Sequence, residues 1–247
     1  MTNTANLLLR LFVISALVFP ATSFAQLVLP VESNDETGFV SIFNGENFDD
    51  WVGDPVYWSI KDGIMTGTVT PETLLRENSF IIWQGGTPRN FELKMDYRVS
   101  DKGNSGINYR SAHIDTKSGN KYAMRGYQLD IDGEGTWTGQ NYEERGRQFL
   151  ALRGEVTLQR ANERSQIIAR VDSNDNLWNA INKEDWNEAH IIVRENIVIH
   201  IINGKVMSVV VDDDAEKRTL EGLIGMQVHV GPPMTIEYRN IRLKELK

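Results

Sequence analysis

The stretch FELKMDYRV, residues 91–99, alternates apolar and charged side chains over nine residues. Successive side chains of a β-strand point to opposite faces, so this period of two predicts a strand with one buried face. Residues 197–202 and 205–209 are also rich in β-branched residues, and Asn203-Gly204 separates them. Because Asn-Gly suits the positive φ angles of a tight type I′ turn, the two segments are expected to form a hairpin.

Short strands and turns recur along the rest of the chain. A further hairpin is predicted around Asp62-Gly63, and a further strand at residues 235–243. Only residues 155–170 leave a strand pair and a short helix both open. Many strands with few helices predict an all-β fold, a sandwich of two antiparallel sheets, with residues 38–247 as a single domain.

Composition excludes several classes of protein. The chain has 247 residues, with 26 Lys and Arg against 34 Asp and Glu, and a net charge of −8. An acidic protein is a poor nucleic-acid binder, because phosphate contacts need a basic face. The absence of cysteine excludes disulfides, thiol catalysis and cysteine-ligated metals.

The N-terminus has the pattern of an export signal in residues 1–25. Arg10 precedes an apolar run at residues 11–19, and the small-x-small sequence 23–25 supplies a cleavage site. The run is too short to span a bilayer, so no membrane span is expected after cleavage. The protein is therefore predicted to be exported, to the periplasm or the extracellular space, with residues 26–37 as a linker.

Polar groups alternate with apolar ones along GYQLDIDG, residues 126–133. The residues expected on the buried face are Tyr127, Leu129 and Ile131, and those on the opposite face are Gln128, Asp130 and Asp132. Two carboxylates two positions apart on one strand are roughly 7 Å apart at the backbone, close enough to influence each other electrostatically.

Two other strands carry similar groups: Arg110 lies in residues 106–110, and Gln227 and His229 lie in residues 225–230. If the three strands share a sheet, these side chains form one polar floor with Gln128, Asp130 and Asp132. Such a floor offers an anion clamp, a general base and a proton shuttle. The alternative is an ordinary solvated sheet face. Asp130, Asp132 and His229 are the first candidates for catalysis, and also for ligands of a divalent cation.

The loop after this strand, residues 133–147, is dense in aromatic, acidic and arginine side chains. Trp137 or Tyr142 is a candidate for stacking on a sugar ring, and Arg145 and Arg147 are candidates for holding substrate oxygens. Glu143 is a further candidate carboxylate for catalysis. The alternative is a solvated charged loop with Trp137 packed on the edge of the sandwich.

These segments resemble the 3-keto-disaccharide hydrolase domain family of secreted bacterial proteins. The stretches that carry the resemblance are GFVSIFNG (38–45), NFEL (90–93), GNSGI (103–107) with Arg110, GYQ (126–128), GLIGMQ (222–227) with His229, and YRNIR (238–242). The resemblance implies a concanavalin-like jelly roll with a sugar site on its concave face. The chain departs from the family pattern at Gln128, which replaces a glutamate, and at Asp130, which replaces a glutamine.

The resemblance further implies cleavage of glycosides that are already oxidised at carbon 3. A ketone there acidifies the proton on carbon 2, so a base can remove it, the glycosidic oxygen can leave carbon 1, and water can add. Arg110 or a divalent cation is the candidate for stabilising the enolate, with Gln128 and Gln227 as further substrate contacts. Two alternatives stay open: a carbohydrate-binding domain without catalysis, and a conventional glycosidase with Asp130 and Asp132 or Glu143 as its carboxylate pair.

Overall fold

A computed structural model of the chain describes residues 36–247. The predicted export signal, residues 1–25, and residues 26–35 of the predicted linker lie outside the described residues. Glu36, near the end of that predicted linker, contacts the domain: its carboxylate accepts hydrogen bonds from Lys94 Nζ (3.0 Å) and Arg242 Nε (2.7 Å). Within residues 36–247, no helix is both long enough and apolar enough to cross a membrane.

The described residues form seventeen strands and one short helix. In chain order these are β1 (Val40–Ser41), β2 (Trp51–Val52), β3 (Trp58–Lys61), β4 (Ile64–Val69), β5 (Ser79–Trp83), β6 (Phe91–Val99), β7 (Asn104–Ile114), β8 (Ala123–Asp132), β9 (Asn141–Glu144), β10 (Gln148–Ala151), β11 (Glu155–Gln159), β12 (Gln166–Arg170), α1 (Asn174–Trp178), β13 (Asn187–Arg194), β14 (Ile197–Ile202), β15 (Lys205–Asp212), β16 (Leu223–Val228) and β17 (Met234–Glu245).

The strands form two sheets. One has ten strands in the order β12-β11-β15-β14-β13-β6-β17-β4-β3, with β1 paired to β17, and the other has seven in the order β10-β9-β8-β7-β16-β5-β2. All neighbours are antiparallel except β11 and β15. The predicted all-β sandwich of two largely antiparallel sheets is confirmed.

The predicted strand at residues 91–99 and the predicted hairpin at residues 197–209 both lie in the larger sheet. Residues 91–99 are β6, in the interior of that sheet, between β13 and β17. Asn203 and Gly204 have φ angles of 50° and 74°, as the type I′ turn between β14 and β15 requires. The region that sequence left open, residues 155–170, is the strand pair β11–β12.

The core lies between the sheets. From β8 of the smaller sheet, Tyr127, Leu129 and Ile131 are 0–1% exposed and belong to the main apolar cluster. This is the predicted register of β8, so Gln128 and Asp130 point to the outer face of the seven-stranded sheet. That outer face carries the candidate site.

Candidate functional site

The outer face of the smaller sheet is a buried polar floor. Gln128, Gln227 and Asp130 are only 2%, 0% and 7% exposed, although they point away from the main core. An ordinary solvated sheet face would leave such side chains in water. Here the loop after β8 and the β9–β10 hairpin supply residues that wall in the space above the floor.

A chain of hydrogen bonds crosses this floor and ends on a carboxylate. Gln227 Nε2 donates to Gln128 Oε1 (3.1 Å), and Gln128 Nε2 donates to Asp130 Oδ1. Gly106 lies opposite Asp130 in the ladder, and a Cβ there would come within 2.3 Å of the Gln128 side chain. Glycine at 106 therefore leaves the space in which Gln128 lies across the neighbouring strand.

Above the floor is a cavity of about 440 Å³. Asp130 lies on its base, Glu144 at the end of β9 and His229 just after β16. Asn78 connects two of these elements, because its side chain accepts from the Val230 amide (3.0 Å) and donates to Glu144 (3.4 Å). The further lining residues are Asn104, Gln128, Trp137, Tyr142, Gln148 and Phe149.

The ionisable groups of the cavity have shifted pKa values. Burial raises the pKa of Asp130 to about 8, against the lowering effect of the Gln128 hydrogen bond. Burial also raises the pKa of Glu144 and lowers the pKa of His229. At neutral pH the Asp130 carboxyl is therefore mostly protonated and the His229 imidazole mostly neutral. An acid and a base thus face one cavity, in the protonation states that each would need to start a reaction.

An aromatic rim borders the cavity. The Trp137 and Phe149 rings stack with centroids 5.1 Å apart and an 18° angle, and Tyr142 contacts Phe149 at 5.1 Å. Trp137 and Phe149 remain 39% and 38% exposed, which is high for such large apolar side chains. Exposed, preformed aromatic faces of this kind suit the apolar face of a sugar ring.

Asp132 does not face this cavity. Its carboxylate accepts hydrogen bonds from the amides of Thr136 (2.9 Å), Trp137 (2.8 Å) and Thr138 (2.7 Å). It therefore organises the loop that presents Trp137. Among residues 36–247, no three His, Asp or Glu side chains are placed to hold a metal ion. The cation trio of Asp130, Asp132 and His229 expected from sequence does not assemble, because the loop amides engage both oxygens of Asp132.

Arg110 does not lie on the polar floor either, contrary to the sequence-based prediction. The β7–β8 register shifts between Tyr109 and Ala112, and Arg110 itself has a φ of 44°. The side chain is 1% exposed, and its guanidinium donates to the carbonyl oxygens of Arg89 (2.5 Å) and Glu195 (2.6 Å). A simple alternation rule fails at such a bulge.

The charged residues Glu143, Arg145 and Arg147 form ion pairs rather than lining this cavity. Arg147 bridges Glu143 (2.6 Å) and Asp212 (2.7 Å), and Arg145 pairs with Glu77 (2.7 Å). The carboxylate that reaches the cavity is the neighbouring Glu144, because alternation along β9 places Tyr142 and Glu144 on the outer face. The prediction of Glu143 therefore chose the wrong face of a strand of only four residues.

Sequence reasoning also missed three amides and one aromatic group, namely Asn78, Asn104, Gln148 and Phe149. Asn104 could have been found from the β7–β8 register, since it pairs with Asp132. The side chains of Asn104 and Gln148 make no hydrogen bond within residues 36–247, so both have donors available to a ligand in the cavity.

Comparison with known proteins places this chain in a family. The model of the 3-keto-alpha-glucoside-1,2-lyase-like domain matches residues 38–244. A curated 3-keto-disaccharide hydrolase of Bacteroides thetaiotaomicron is 33% identical over 104 residues, which are 39% of this chain and 34% of that protein. The match thus spans about a third of that relative.

Solved structures share the fold. One from Parabacteroides distasonis, provisionally described as a glycosyl hydrolase, aligns with a TM-score of 0.54 at 18% identity over 84% of this chain and 99% of that one. A Bacillus subtilis protein with a galectin-like fold aligns at 0.53 and 13%, over 80% and 90%. These likenesses support the predicted jelly-roll sandwich, and the family match covers nearly all described residues. The chain therefore belongs to the 3-keto-alpha-glucoside-1,2-lyase-like domain family.

Proposed function

We propose that the cavity binds a glycoside oxidised at carbon 3 and cleaves its glycosidic bond by elimination followed by hydration. The observation that carries the proposal is the pair of Asp130 and His229, which line one cavity and have pKa values shifted in opposite directions. Family membership supports the substrate class, and the N-terminal sequence supports action in the periplasm or outside the cell.

The first half of the reaction removes a proton and breaks the bond. Neutral His229 takes the proton from carbon 2, which the neighbouring ketone acidifies, and the electron pair forms an enolate. The enolate then collapses to a double bond between carbons 1 and 2 as the glycosidic oxygen leaves carbon 1. Asp130 gives its proton to that leaving oxygen.

The second half adds water and restores both groups. Water attacks carbon 1 of the unsaturated ketone while the Asp130 carboxylate takes one of its protons. The imidazolium of His229 returns a proton to carbon 2. The sum is one water consumed and one glycosidic bond hydrolysed, with the acid and the base in their starting states.

Neutral donors take the role first given to Arg110. The side-chain amides of Asn104 and Gln148 line the cavity and can donate to the developing enolate oxygen. Stacking on Trp137 and Phe149 would hold the ring in place. The proposed steps use no divalent cation, since the residues expected to bind one do not converge.

The test compares one glucoside with its 3-keto form. We expect cleavage of the keto form only, and a loss of roughly a hundredfold or more in kcat for Asp130→Asn and His229→Ala. Matched controls are Asp101→Asn and His113→Ala, which change exposed residues that do not line the cavity and should leave kcat unchanged. Cleavage of the parent glucoside at a similar rate, or full activity in both site variants, would refute the mechanism.

A carbohydrate-binding role without catalysis is the second candidate, favoured by the exposed stack of Trp137 on Phe149. In that case the protein would bind the glycoside tightly with no turnover of either form. The same experiment separates the two functions if binding is measured alongside product release. Loss of affinity with no measurable cleavage in any variant would favour the binding role.

A further inference from the structure

A second cavity, of about 510 Å³, adjoins the candidate site and has a different chemistry. Glu144 lies in the lining of both cavities. On β8 the first cavity contacts Gln128 and the second contacts Gly126, two residues away, which is roughly 7 Å along a strand. A ligand longer than one sugar ring could therefore extend from the first cavity into the second.

The second cavity is basic in an otherwise acidic chain. The residues that line it include five basic ones, Arg110, Arg125, Arg145, Arg147 and Lys217, against three acidic ones, Glu143, Glu144 and Glu216. The chain as a whole has a net charge of −8. A local excess of positive charge on a concave surface attracts anions and raises their local concentration.

Two of these cations are already neutralised. Arg147 is bound to Glu143 (2.6 Å) and Asp212 (2.7 Å), and Arg145 is bound to Glu77 (2.7 Å). The negative charge of Glu143 is compensated by Arg147 in the same way, so Glu143 does not repel an incoming anion. The pairs hold the wall of the cavity in place.

The other three cations have no carboxylate partner within residues 36–247. Arg110 is 1% exposed and donates only to carbonyl and amide oxygens, so its charge is buried without a counter-ion. Arg125 and Lys217 are exposed, and their side chains make no ion pair or hydrogen bond with described residues. Their donors are available to a bound group, with Glu216 as the opposing exposed carboxylate.

The floor between these cations is bare. Gly126 has a φ of 146°, and a Cβ at this position would lie 2.3 Å from the Ser111 Oγ and 2.7 Å from its Cα. The neighbouring strand therefore leaves no room for a side chain at position 126, and the glycine backbone itself lines the cavity. A glycan can approach the backbone closely at this point.

We propose that this cavity is a second subsite, which takes an oxyanion carried by the sugar next to the cleaved bond. Arg125 and Lys217 contact the anion, and the buried charge of Arg110 adds to the attraction. A uronate carboxylate and a sulfate ester share the required chemistry, since both accept several charge-assisted hydrogen bonds from cations. The substrate class would then be acidic glycans, an inference that rests on the proposed function for the neighbouring cavity.

The test measures binding rather than cleavage. The probes are three unoxidised disaccharides: maltose, its glucuronate-containing counterpart and maltose 6′-sulfate. We expect the acidic disaccharides to bind roughly tenfold more tightly than maltose, with an advantage that shrinks as salt is raised. The better of the two acidic probes identifies the carboxylate or the sulfate as the preferred group.

The double variant Arg125→Ala/Lys217→Ala should lose this advantage and bind all three disaccharides alike. The control Lys61→Ala/Arg164→Ala removes two exposed cations that lie outside the cavity. This variant should still bind the acidic disaccharides more tightly than maltose. Equal affinity for neutral and acidic disaccharides, no binding of any of the three, or an advantage that survives in the first variant would overturn the subsite. Failure of the proposed function would show differently, as intact 3-keto glycoside in the cleavage assay with the acidic preference unchanged.

Discussion

Replacing Asp130 with asparagine should make the protein more stable, and increasingly so as the pH rises. Asp130 has an ordinary pKa of 3.8, which burial raises to about 8 in the folded state. Between these two values the unfolded chain releases a proton that the folded protein keeps. Folding stability contributed by this group is therefore complete below about pH 4 and is lost as the pH rises through about 8.

The size of the effect follows from the distance between the two pKa values. Each pH unit corresponds to about 1.4 kcal/mol, so about three units between pH 4 and 7 amount to roughly 4 kcal/mol. The full interval to pH 8 gives an upper bound of roughly 6 kcal/mol. Asparagine does not titrate, and its side-chain oxygen can still accept from Gln128, so the variant avoids most of this loss.

Urea unfolding at pH 4.5 and pH 8 measures the difference. We expect Asp130→Asn to gain about 2 kcal/mol or more over the wild type at pH 8 and little at pH 4.5. The control Asp132→Asn should destabilise by about 2 kcal/mol at both values, because an amide cannot replace a carboxylate that accepts three backbone N–H groups. An effect of Asp130→Asn that is the same at both pH values would refute the burial argument.

Three further predictions concern activity on a 3-keto glycoside. Gly106→Ala should displace Gln128 and lower kcat at least tenfold, and steady-state kinetics with a melting curve will separate this from unfolding. Trp137→Ala should weaken substrate binding by about 1 kcal/mol or more, a fivefold or larger rise in KM, with kcat nearly unchanged if the ring only stacks. The rate should fall as the pH rises through about 8, where Asp130 loses its proton, and Glu144→Gln should move this limb of the pH–rate profile to lower pH by removing a neighbouring like charge.

The fold could be predicted from sequence because its signals are local and repeated. Alternation in residues 91–99 and 126–132 fixed the buried faces, and the positive φ angles at Asn203 and Gly204 follow from the residue types. Asp130 and His229, the residues proposed as acid and base, were among the sequence-based candidates, because an unusual set of polar residues repeats on neighbouring strands, and both line the cavity. Only the structure shows that Asp130 is buried on the outer face of the smaller sheet, which distinguishes this face from an ordinary solvated one.

The remaining site residues depend on features that a single sequence does not encode locally. A bulge between Tyr109 and Ala112 turns Arg110 away, and no residue type in that segment marks it. The four-residue strand β9 is too short for its period to distinguish Glu143 from Glu144. Asp132 has the spacing of a floor residue, but it lies at the end of β8. Its carboxylate therefore accepts hydrogen bonds from the amides of the following loop instead of facing the cavity.

The most direct test of the proposed function follows the hydrogen on carbon 2. A 3-keto glycoside carrying deuterium at that carbon is mixed with excess protein, and cleavage rate and product deuterium content are measured in a single turnover. The elimination route predicts slower cleavage than for the unlabelled substrate, with loss to water of whatever deuterium the His229 imidazolium exchanges with solvent before it returns a proton to carbon 2. Cleavage at an unchanged rate with all the deuterium retained at carbon 2 would contradict it.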